Sequence, residues 1–379
     1  MKIGLTYQPV PFAQLPGWDQ DDHAAAFKAF LKSCDRIVAA AGKPAADKGP
    51  APPPSALALA CTAAARSAAQ IKTKAAARAF FEQHFTANAV THKGPEGLFT
   101  GYYEPLLIGS RKPEGAFTTP IYKRPPDLVN LVDETQRAKA TALTHARKTE
   151  KGTEPYYTRE QIERGALKGK NLELIYFADA VDVFFMQIQG SGRVKLTDGT
   201  TIRVHYDGKN GHPYSSIGRY LIEKGLLAAD KVSMGALAKW LRSDPDRGTH
   251  VMWQNASFVF FRELAGDANA PLGALNVALT PGRSLAVDTA FHALGSPIYI
   301  AVPGLSGGTK AKAFNRLMVA QDVGSAIRGP ERGDIYFGSG DAAGQLAGTT
   351  KHPGKFYVLL AKSPPAQAAQ NAPPPKKAP

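Results

Sequence analysis

Two aspartates in the C-terminal part of the chain, Asp322 and Asp334, are the residues best placed for acid–base chemistry. Asp322 ends the apolar run LMVAQD, Asp334 opens the run DIYFG, and the Gly- and Pro-containing loop GSAIRGPERG lies between them. This pattern predicts two acids where strands meet loops. An apolar flank partly desolvates a carboxyl group and raises its pKa, which keeps it protonated near neutrality as a general acid requires.

Two acids of this kind could serve a glycosidase, in which one carboxyl protonates the leaving oxygen and the other acts as nucleophile or base. The alternative is structural, because an Asp at the end of a strand often caps a turn through its own backbone. Arg328 and Arg332 lie between the two acids. Either arginine could pair with Asp322 and keep it ionised, or both could be solvated loop charges.

A serine hydrolase is a second hypothesis from the motifs. Residues 304 to 308, GLSGG, match G-x-S-x-G around Ser306, and an aspartate and His352 follow in the chain order of α/β-hydrolases. Pro303 interrupts the expected strand, and the strand-rich region downstream lacks the βα alternation of that fold. The histidines are scattered without metal-ligand spacing, so we expect neither a metal nor another cofactor.

The composition indicates a globular protein with a basic surface. The chain has 379 residues, 44% of them hydrophobic, and a formal net charge of +14. Such a charge favours polyanionic partners. Nucleic acid is the weaker choice, because no arginine-rich cluster is interleaved with aromatic residues. No apolar run reaches the roughly 18 residues needed to span a bilayer.

The elements that must position these residues are predicted as helices first and many short strands afterwards, which gives an α+β, mainly β, fold. Residues 22 to 40 place Phe27, Phe30, Leu31, Cys34, Ile37 and Val38 on one helical face, and a second helical region runs from Ser55 to about Phe85. Strands are predicted from Leu98, including one long β region from 173 to 210, and again from Gly273 to Lys362. Helices are expected at 159 to 167, 213 to 225 and 233 to 246, and residues 125 to 155 are expected to be rich in loops.

Several long motifs resemble the membrane-bound lytic transglycosylase A family, whose members cleave peptidoglycan glycan strands. The resemblance runs from the LPGW near Leu15 to about Lys362. Many motifs in one order are far more specific than any one of them. They are FTGYYEP (99 to 105), IYKRP (121 to 125), FFMQIQGSGRVKLTDGTTIRV (184 to 204), YSSIGRYL (214 to 221), NASFVFFREL (255 to 264), PLGALNVALTPGRSLAVD (271 to 288) and RLMVAQDVGSAIRGPERGDIYFGSG (316 to 340).

The resemblance implies a fold with a double-psi β-barrel and an inserted second β domain, preceded by an N-terminal helical segment. Carried onto this chain, residues 1–104 and 268–362 form the helices and the discontinuous catalytic barrel, and 105–267 form the insert. Residues 363–379 are a Pro/Ala tail that cannot bury a core, and we expect them to be disordered.

The resemblance also implies a reaction. A single Asp protonates the bond between N-acetylmuramic acid (MurNAc) and N-acetylglucosamine (GlcNAc) and then acts as base, giving 1,6-anhydroMurNAc without water. Asp334 matches this acid, and Asp322 is the supporting acid beside it. Substrate-binding candidates come from the two matching motifs TGYYEP and QIQGSG: Thr100, Gly101, Tyr102, Glu104, Gln187, Gln189, Gly190 and Ser191. The protein is then a carbon–oxygen lyase, exolytic or endolytic, and the remaining alternative is a non-enzymatic peptidoglycan-binding module.

Location and partners follow from the same resemblance. We expect a periplasmic monomer that acts on peptidoglycan glycan strands, associated with the outer membrane or cell-wall machinery, although no leader or lipoprotein cysteine is visible at the start of this sequence. Cys34 and Cys61 could form one disulfide in such a compartment or stay as two buried thiols.

Overall fold

The computed structural model describes residues 5–41, 54–131, 143–264, 270–308 and 313–363. Helices and sheets are mixed, so the predicted α+β class is confirmed. The helices are α1 (His23–Ala40), α2 (Ser55–Ser67), α3 (Lys74–His84), α4 (Arg159–Gln161, continued by the π-helical turn Ile162–Ala166), α5 (Ala180–Gln189), α6 (Ile217–Glu223), α7 (Met234–Arg242), α8 (Pro245–Trp253) and α9 (Asp341–Thr349). The strands are β1 (Leu5–Pro9), β2 (Phe85–His92), β3 (Leu98–Glu104), β4 (Leu106–Ser110), β5 (Thr119–Tyr122), β6 (Leu128–Asn130), β7 (His145–Thr149), β8 (Gly152–Glu154), β9 (Glu173–Phe177), β10 (Ser191–Leu196), β11 (Thr201–Lys209), β12 (Val259–Glu263), β13 (Ser284–Ala286), β14 (Pro297–Pro303), β15 (Ala313–Asp322), β16 (Arg332–Ser339), β17 (Lys351–Pro353) and β18 (Lys355–Ala361).

Strands from both ends of the chain form the larger sheet. Its order is β1-β2-β18-β14-β15-β13-β16-β3-β17. A six-stranded sheet, β12-β11-β10-β4-β9-β5, and a small sheet, β6-β7-β8, come from the middle of the chain. The chain passes from the larger sheet to the six-stranded one across Pro105, between β3 and β4.

The N-terminal helices cover the larger sheet and hold the strand that ends in Asp322. Helix α1 buries Phe27, Phe30, Cys34 and Ile37 as predicted, whereas Val38 is 45% exposed. The amide of Gln321, one residue before Asp322, donates to the carbonyl of Ala29 (3.0 Å) and to the Ser33 hydroxyl (2.8 Å) on α1. These buried hydrogen bonds tie the end of β15 to the helical layer.

A buried ion pair anchors the segment before α1 to the same sheet. Arg283 donates to both carboxylate oxygens of Asp21, over 2.8 and 2.9 Å, and the backbone N–H of Leu317 donates to Asp21 over 2.8 Å. A paired, hydrogen-bonded carboxylate can be buried because its partners replace its water. The N-terminal segment therefore supports the sheet that carries both candidate acids.

The two cysteines face the core between α1 and α2. Both are buried free thiols in the structure. A hydrogen bond with the Cys34 thiol, together with burial, raises the pKa of the Cys61 thiol. Of the two states that the sequence left open, the structure contains the free thiols.

Part of the predicted secondary structure was wrong. Residues 180 to 189 were predicted as strand but form α5, which Asp179 caps by accepting from the N–H of Val181 (2.7 Å) and which ends at Gly190 with φ 79°. Tertiary packing buries half of the residues of this apolar helix, and a short apolar run cannot be assigned from its periodicity. Helix α9 lies in a region predicted as strands, strands β6 to β8 lie in the predicted loop region, and the second helical region divides into α2 and α3 before β2.

Other predicted elements are confirmed. The helices at 159 to 167, 213 to 225 and 233 to 246 correspond to α4 with its π-helical turn, α6 and α7. Strands β10 and β11 form the hairpin around Asp198 and Gly199, where Gly199 has a φ of 88°. No helix in the described ranges is long and apolar enough to cross a membrane. The predicted tail lies outside the described residues, apart from residue 363.

Candidate active site

Four neighbouring strands of the larger sheet bring the two acids together. Strand β13 lies between β15, which ends in Asp322, and β16, which contains Asp334 near its start. Ala286 of β13 pairs with Asp322 on one side and with Asp334 on the other. On the far side of β16, Thr100 of β3 pairs with Asp334 in parallel register. The pairing of these strands thus places Asp322, Asp334 and Thr100, which are apart in the sequence, in one site.

Three hydrogen-bond donors surround the carboxylate of Asp322. The Tyr102 hydroxyl donates to Oδ2 over 2.8 Å, and the backbone N–H groups of Ala274 (3.0 Å) and Val323 (2.9 Å) donate to Oδ1. Burial raises the pKa of Asp322 to about 6, although these hydrogen bonds act in the opposite direction. The carboxyl group is therefore mostly ionised at neutral pH.

Asp334 has a poorer set of partners. The Thr100 hydroxyl donates to its Oδ1. In the described part of the chain, Oδ2 has no hydrogen-bond partner, and the residue lines an open groove. Burial raises the pKa of Asp334, while the positive charge of Arg332 and the bond from Thr100 lower it. A raised pKa and a carboxyl oxygen without a partner are the properties of a general acid.

The groove has a volume of about 640 Å³ and lies between the two larger sheets. Seven of the eight predicted substrate-binding residues line it with both acids: Thr100, Gly101, Tyr102, Gln187, Gln189, Gly190 and Ser191. Gly101 is required by packing, because a Cβ there would lie 2.5 Å from the ring of Phe337 and 2.8 Å from the backbone of Ala347. Tyr102 both lines the groove and packs 5.3 Å from the Tyr336 ring.

The opposite wall is built around the end of α5. The side-chain oxygen of Gln189 accepts from the backbone N–H of Tyr103 over 3.0 Å, which joins α5 to β3. The side-chain oxygen of Gln187 accepts from Arg159 over 2.6 Å. The Gln187 amide nitrogen is buried and has no hydrogen-bond partner among the described residues. A buried unpaired donor beside a groove is suited to a sugar hydroxyl or carbonyl.

Glu104 lies outside the groove, unlike the other seven candidates. Its side chain is fully buried and forms an ion pair with Arg203, whose Nη2 donates to Oε2 over 2.9 Å. The Ser339 hydroxyl donates to the same oxygen over 2.6 Å. Glu104 ends β3 and Arg203 lies on β11, so this pair joins the two larger sheets below the groove.

The sequence reasoning missed Arg159 in the groove wall. Its guanidinium group is buried, packs over the rings of Phe184 and Phe258 at 4.7 and 5.2 Å, and donates to Gln187, Glu163 and two carbonyl oxygens. Its position in a short helical motif gives no sign of this burial. Arg332 was considered as a partner of Asp322, but in the structure it donates to the Thr100 hydroxyl over 2.8 Å.

The structure does not give Ser306 the setting of a hydrolase nucleophile. The preceding strand, β14, is antiparallel to both of its neighbours. Ser306 is exposed in the loop after β14, and the next described element is strand β15. A nucleophile elbow needs a strand that leads directly into a helix.

Comparisons with known proteins agree with this architecture. The family model described as the MltA specific insert domain matches residues 98–262, and the model of the 3D domain matches residues 283–360. The chain is therefore a 3D-domain protein that carries this insert. The chain is 35% identical over 285 residues to membrane-bound lytic murein transglycosylase A of Vibrio cholerae, an alignment that covers 74% of this chain and 70% of that protein. The chain belongs to the membrane-bound lytic murein transglycosylase A family.

Other relatives include the Escherichia coli protein of the same name. It is 36% identical over 269 residues, which cover 69% of this chain and 65% of that protein. The solved structure of a membrane-bound lytic murein transglycosylase from Agrobacterium tumefaciens superposes with a TM-score of 0.83 at 36% identity, covering 94% of this chain and 98% of that one. A structure of E. coli MltA with bound chitohexaose gives a TM-score of 0.66 at 27% identity, covering 96% and 95%.

Proposed function

We propose that the chain cleaves the β-1,4 bond between MurNAc and GlcNAc in peptidoglycan as a lytic transglycosylase, with Asp334 as its only acid and base. Membership of the family supports the reaction class. One structural observation carries the assignment of the acid. Asp322 accepts three hydrogen bonds, whereas Asp334, which also lines the groove, accepts one, on Oδ1.

The two acids have different tasks in this proposal. Each donor to Asp322 stabilises its ionised form, so it serves as a fixed negative charge beside the reacting sugar. Asp334 has a raised pKa, and its Oδ2 has no partner among the described residues, so it can carry the proton that the leaving group needs. Two carboxyl groups with separate environments can thus hold opposite protonation states.

The reaction proceeds in two proton transfers through Asp334. Its Oδ2–H protonates the glycosidic oxygen, the bond to C1 breaks, and GlcNAc leaves with a free 4-hydroxyl. The sugar then carries positive charge at C1, which the ionised Asp322 stabilises electrostatically. The C6 hydroxyl attacks C1 and gives its proton back to Asp334, which closes the 1,6-anhydro ring. An intramolecular hydroxyl has a high effective concentration, so water is not needed.

The groove supports a glycan substrate in its chemistry. Tyr102 offers an aromatic face to a pyranose ring, while Gln187, Gln189 and Ser191 offer amide and hydroxyl groups to sugar hydroxyls. A volume of about 640 Å³ accommodates a few sugar rings. The chitohexaose bound to the E. coli relative is a sugar chain of the same general kind.

We also propose the domain division stated above, with 1–104 and 268–362 as a catalytic double-psi barrel, 105–267 as the insert, and 363–379 as a tail. Sheet membership changes across Pro105, and parallel pairs β3–β16 and β13–β15 lie next to each other. The cellular setting that fits this activity is the periplasm, beside the outer membrane and cell-wall machinery, with the protein acting as a monomer on glycan strands.

Digestion of purified sacculi by the wild type and by Asp334→Asn tests the reaction and its acid together. We expect muropeptides about one water lighter than hydrolytic products, detected by mass spectrometry, and a loss of at least about 1,000-fold in the variant. Asp198→Asn on the exposed β10–β11 turn is the matched control and is expected to retain wild-type activity. Anhydro products that survive Asp334→Asn would overturn the assignment of the acid.

The same experiment separates the alternative functions. Products with unmodified reducing ends would contradict the transglycosylase in favour of a hydrolase. Sacculus binding without any product, unchanged by Asp334→Asn, would instead indicate a binding module. Activity abolished by Ser306→Ala and retained by Asp334→Asn would indicate the serine hydrolase.

A further inference from the structure

Three side chains on one face of the larger sheet form a chain of hydrogen bonds that ends on Asp334. Arg332 and Asp334 are two residues apart on β16, so they point to the same side. Thr100 of β3 pairs directly with Asp334. Arg332 Nη2 donates to the Thr100 hydroxyl over 2.8 Å, and that hydroxyl donates to Asp334 Oδ1.

The direction of this chain follows from the inventory of donors and acceptors. A guanidinium group has N–H donors and no acceptor. The Thr100 oxygen must therefore accept from Arg332, which leaves its single hydrogen for Asp334. Arg332 is itself held in place, because Nη1 donates to the carbonyl oxygens of Gly333 (2.6 Å) and Leu98 (3.3 Å). The hydroxyl hydrogen thus has one direction in which to point.

We propose that Arg332 and Thr100 are positioning residues that keep the acidic proton of Asp334 on Oδ2, the carboxyl oxygen that Thr100 does not bond. Oδ1 is occupied as an acceptor of the Thr100 hydrogen, so a proton on Oδ1 would compete with that hydrogen. The inference rests on the proposed function, because it specifies which atom of the proposed acid delivers the proton. Neither residue needs to touch the scissile bond for this role.

Arg332 also acts on the proton electrostatically. Its positive charge lowers the pKa of Asp334, against the larger raising effect of burial. Loss of the charge is expected to raise this pKa further. Because the acid works only when protonated, the decline of activity at high pH would then move to higher pH. A change in the orientation of the Asp334 proton instead lowers kcat. The effect on the pKa and the effect on orientation can therefore be measured separately.

Four variants test the inference by the rate of anhydromuropeptide release across pH. Thr100→Val removes the hydroxyl at nearly constant shape and is expected to lower kcat about 100-fold with little change in KM, whereas Thr100→Ser is expected to stay within about threefold of wild type. Arg332→Gln is expected to lower kcat about tenfold and to move the high-pH decline upward, while Arg332→Lys, which keeps the charge, is expected to leave the decline near its wild-type position.

Matched controls separate positioning from folding. Thr91→Val on β2 and Arg193→Gln on β10 remove the same groups at exposed strand positions, and we expect neither to change the pH profile. Suppose that the wild type releases anhydro products and that Thr100→Val has the same kcat and the same high-pH decline as the wild type. That result would overturn the positioning role alone. Wild-type failure to release such products would overturn the proposed function itself. If the activity of Arg332→Gln falls only in proportion to the fraction of unfolded protein, and its pH profile does not shift, Arg332 has a structural role only.

Discussion

Asp322 and Asp334 pair with the same residue, Ala286, from opposite sides of strand β13. Their backbones are therefore two strand spacings apart, about 10 Å. The central position carries only a methyl group, so no bulky side chain separates the two carboxyl groups. Each acid then accepts one side-chain hydrogen bond from β3, where Tyr102 bonds Asp322 and Thr100 bonds Asp334. The backbone N–H groups of Ala274 and Val323 bond Asp322 in addition, and these two bonds set the difference between the acids.

The rate of product release should depend on pH through both acids. The pKa of Asp322 is about 6, so we expect activity to rise as pH increases through about 6 and this residue ionises. Activity should fall again at higher pH as Asp334 loses its proton. In Asp322→Asn the rising part should be lost and the maximum rate reduced about tenfold or more, because the fixed negative charge is gone.

Rates measured from pH 4 to 9 check this dependence. Asp198→Asn, on an exposed turn, is the control and should keep the full profile. A rising part that persists near pH 6 in Asp322→Asn would assign that ionisation to a different group and contradict the prediction.

Ionisation of Asp322 should lower the free energy of unfolding at neutral pH. Its pKa is raised in the folded protein to about 6, above the ordinary value of about 3.9 in an unfolded chain. The folded state therefore favours the protonated form, and the free energy of unfolding should fall by up to about 3 kcal/mol as pH rises from 4 to above 6. Asp322→Asn stays neutral and should avoid this loss.

Urea unfolding at pH 4.5 and pH 7.5 measures the effect. We expect Asp322→Asn to be more stable than the wild type at pH 7.5, with a smaller difference at pH 4.5. An identical difference at the two pH values would show that ionisation of Asp322 does not destabilise the fold.

Glu104 should matter for stability because it is a buried ion-pair partner. Glu104→Gln removes the charge that compensates Arg203 and is expected to lower the free energy of unfolding by about 3 kcal/mol. Glu263→Gln is the matched control, because Glu263 makes a bidentate pair with Arg111 at 2.7 Å on the surface. Exposed pairs of that kind contribute at most about 1 kcal/mol. If urea unfolding shows that Glu104→Gln and Glu263→Gln lose equal free energy of unfolding, the predicted difference between the buried and the exposed ion pair is wrong.

The two cysteines should be unreactive thiols in the folded protein. Both are buried, and the pKa of Cys61 is raised, so little thiolate is available to react. We expect a thiol reagent to titrate neither cysteine in the native protein and both after unfolding without reductant. Absence of reaction after unfolding, with a mass lower by two hydrogens, would show the disulfide instead.

Some features of this protein could be predicted from the sequence. The acids, the mixture of helices and short strands, the β10–β11 hairpin and the buried face of α1 follow from local signals: apolar periodicity, turn residues and charge beside apolar runs. Adjoining motifs in one order identified the family. These properties depend on residues close together in the chain, and a sequence displays them directly.

The structure alone decided how distant residues combine. Glu104 and Gln187 are both polar residues in matching motifs, yet one is buried in an ion pair with Arg203 and the other lines the groove beside Arg159. Helix α5 was misassigned because its packing partners lie in helices further along the chain. The difference between Asp322, which accepts three hydrogen bonds, and Asp334, which accepts one, has the same origin. It depends on which donors β3 and the backbone at Ala274 and Val323 bring to each carboxyl group, and the tertiary structure brings together residues that are far apart in the sequence.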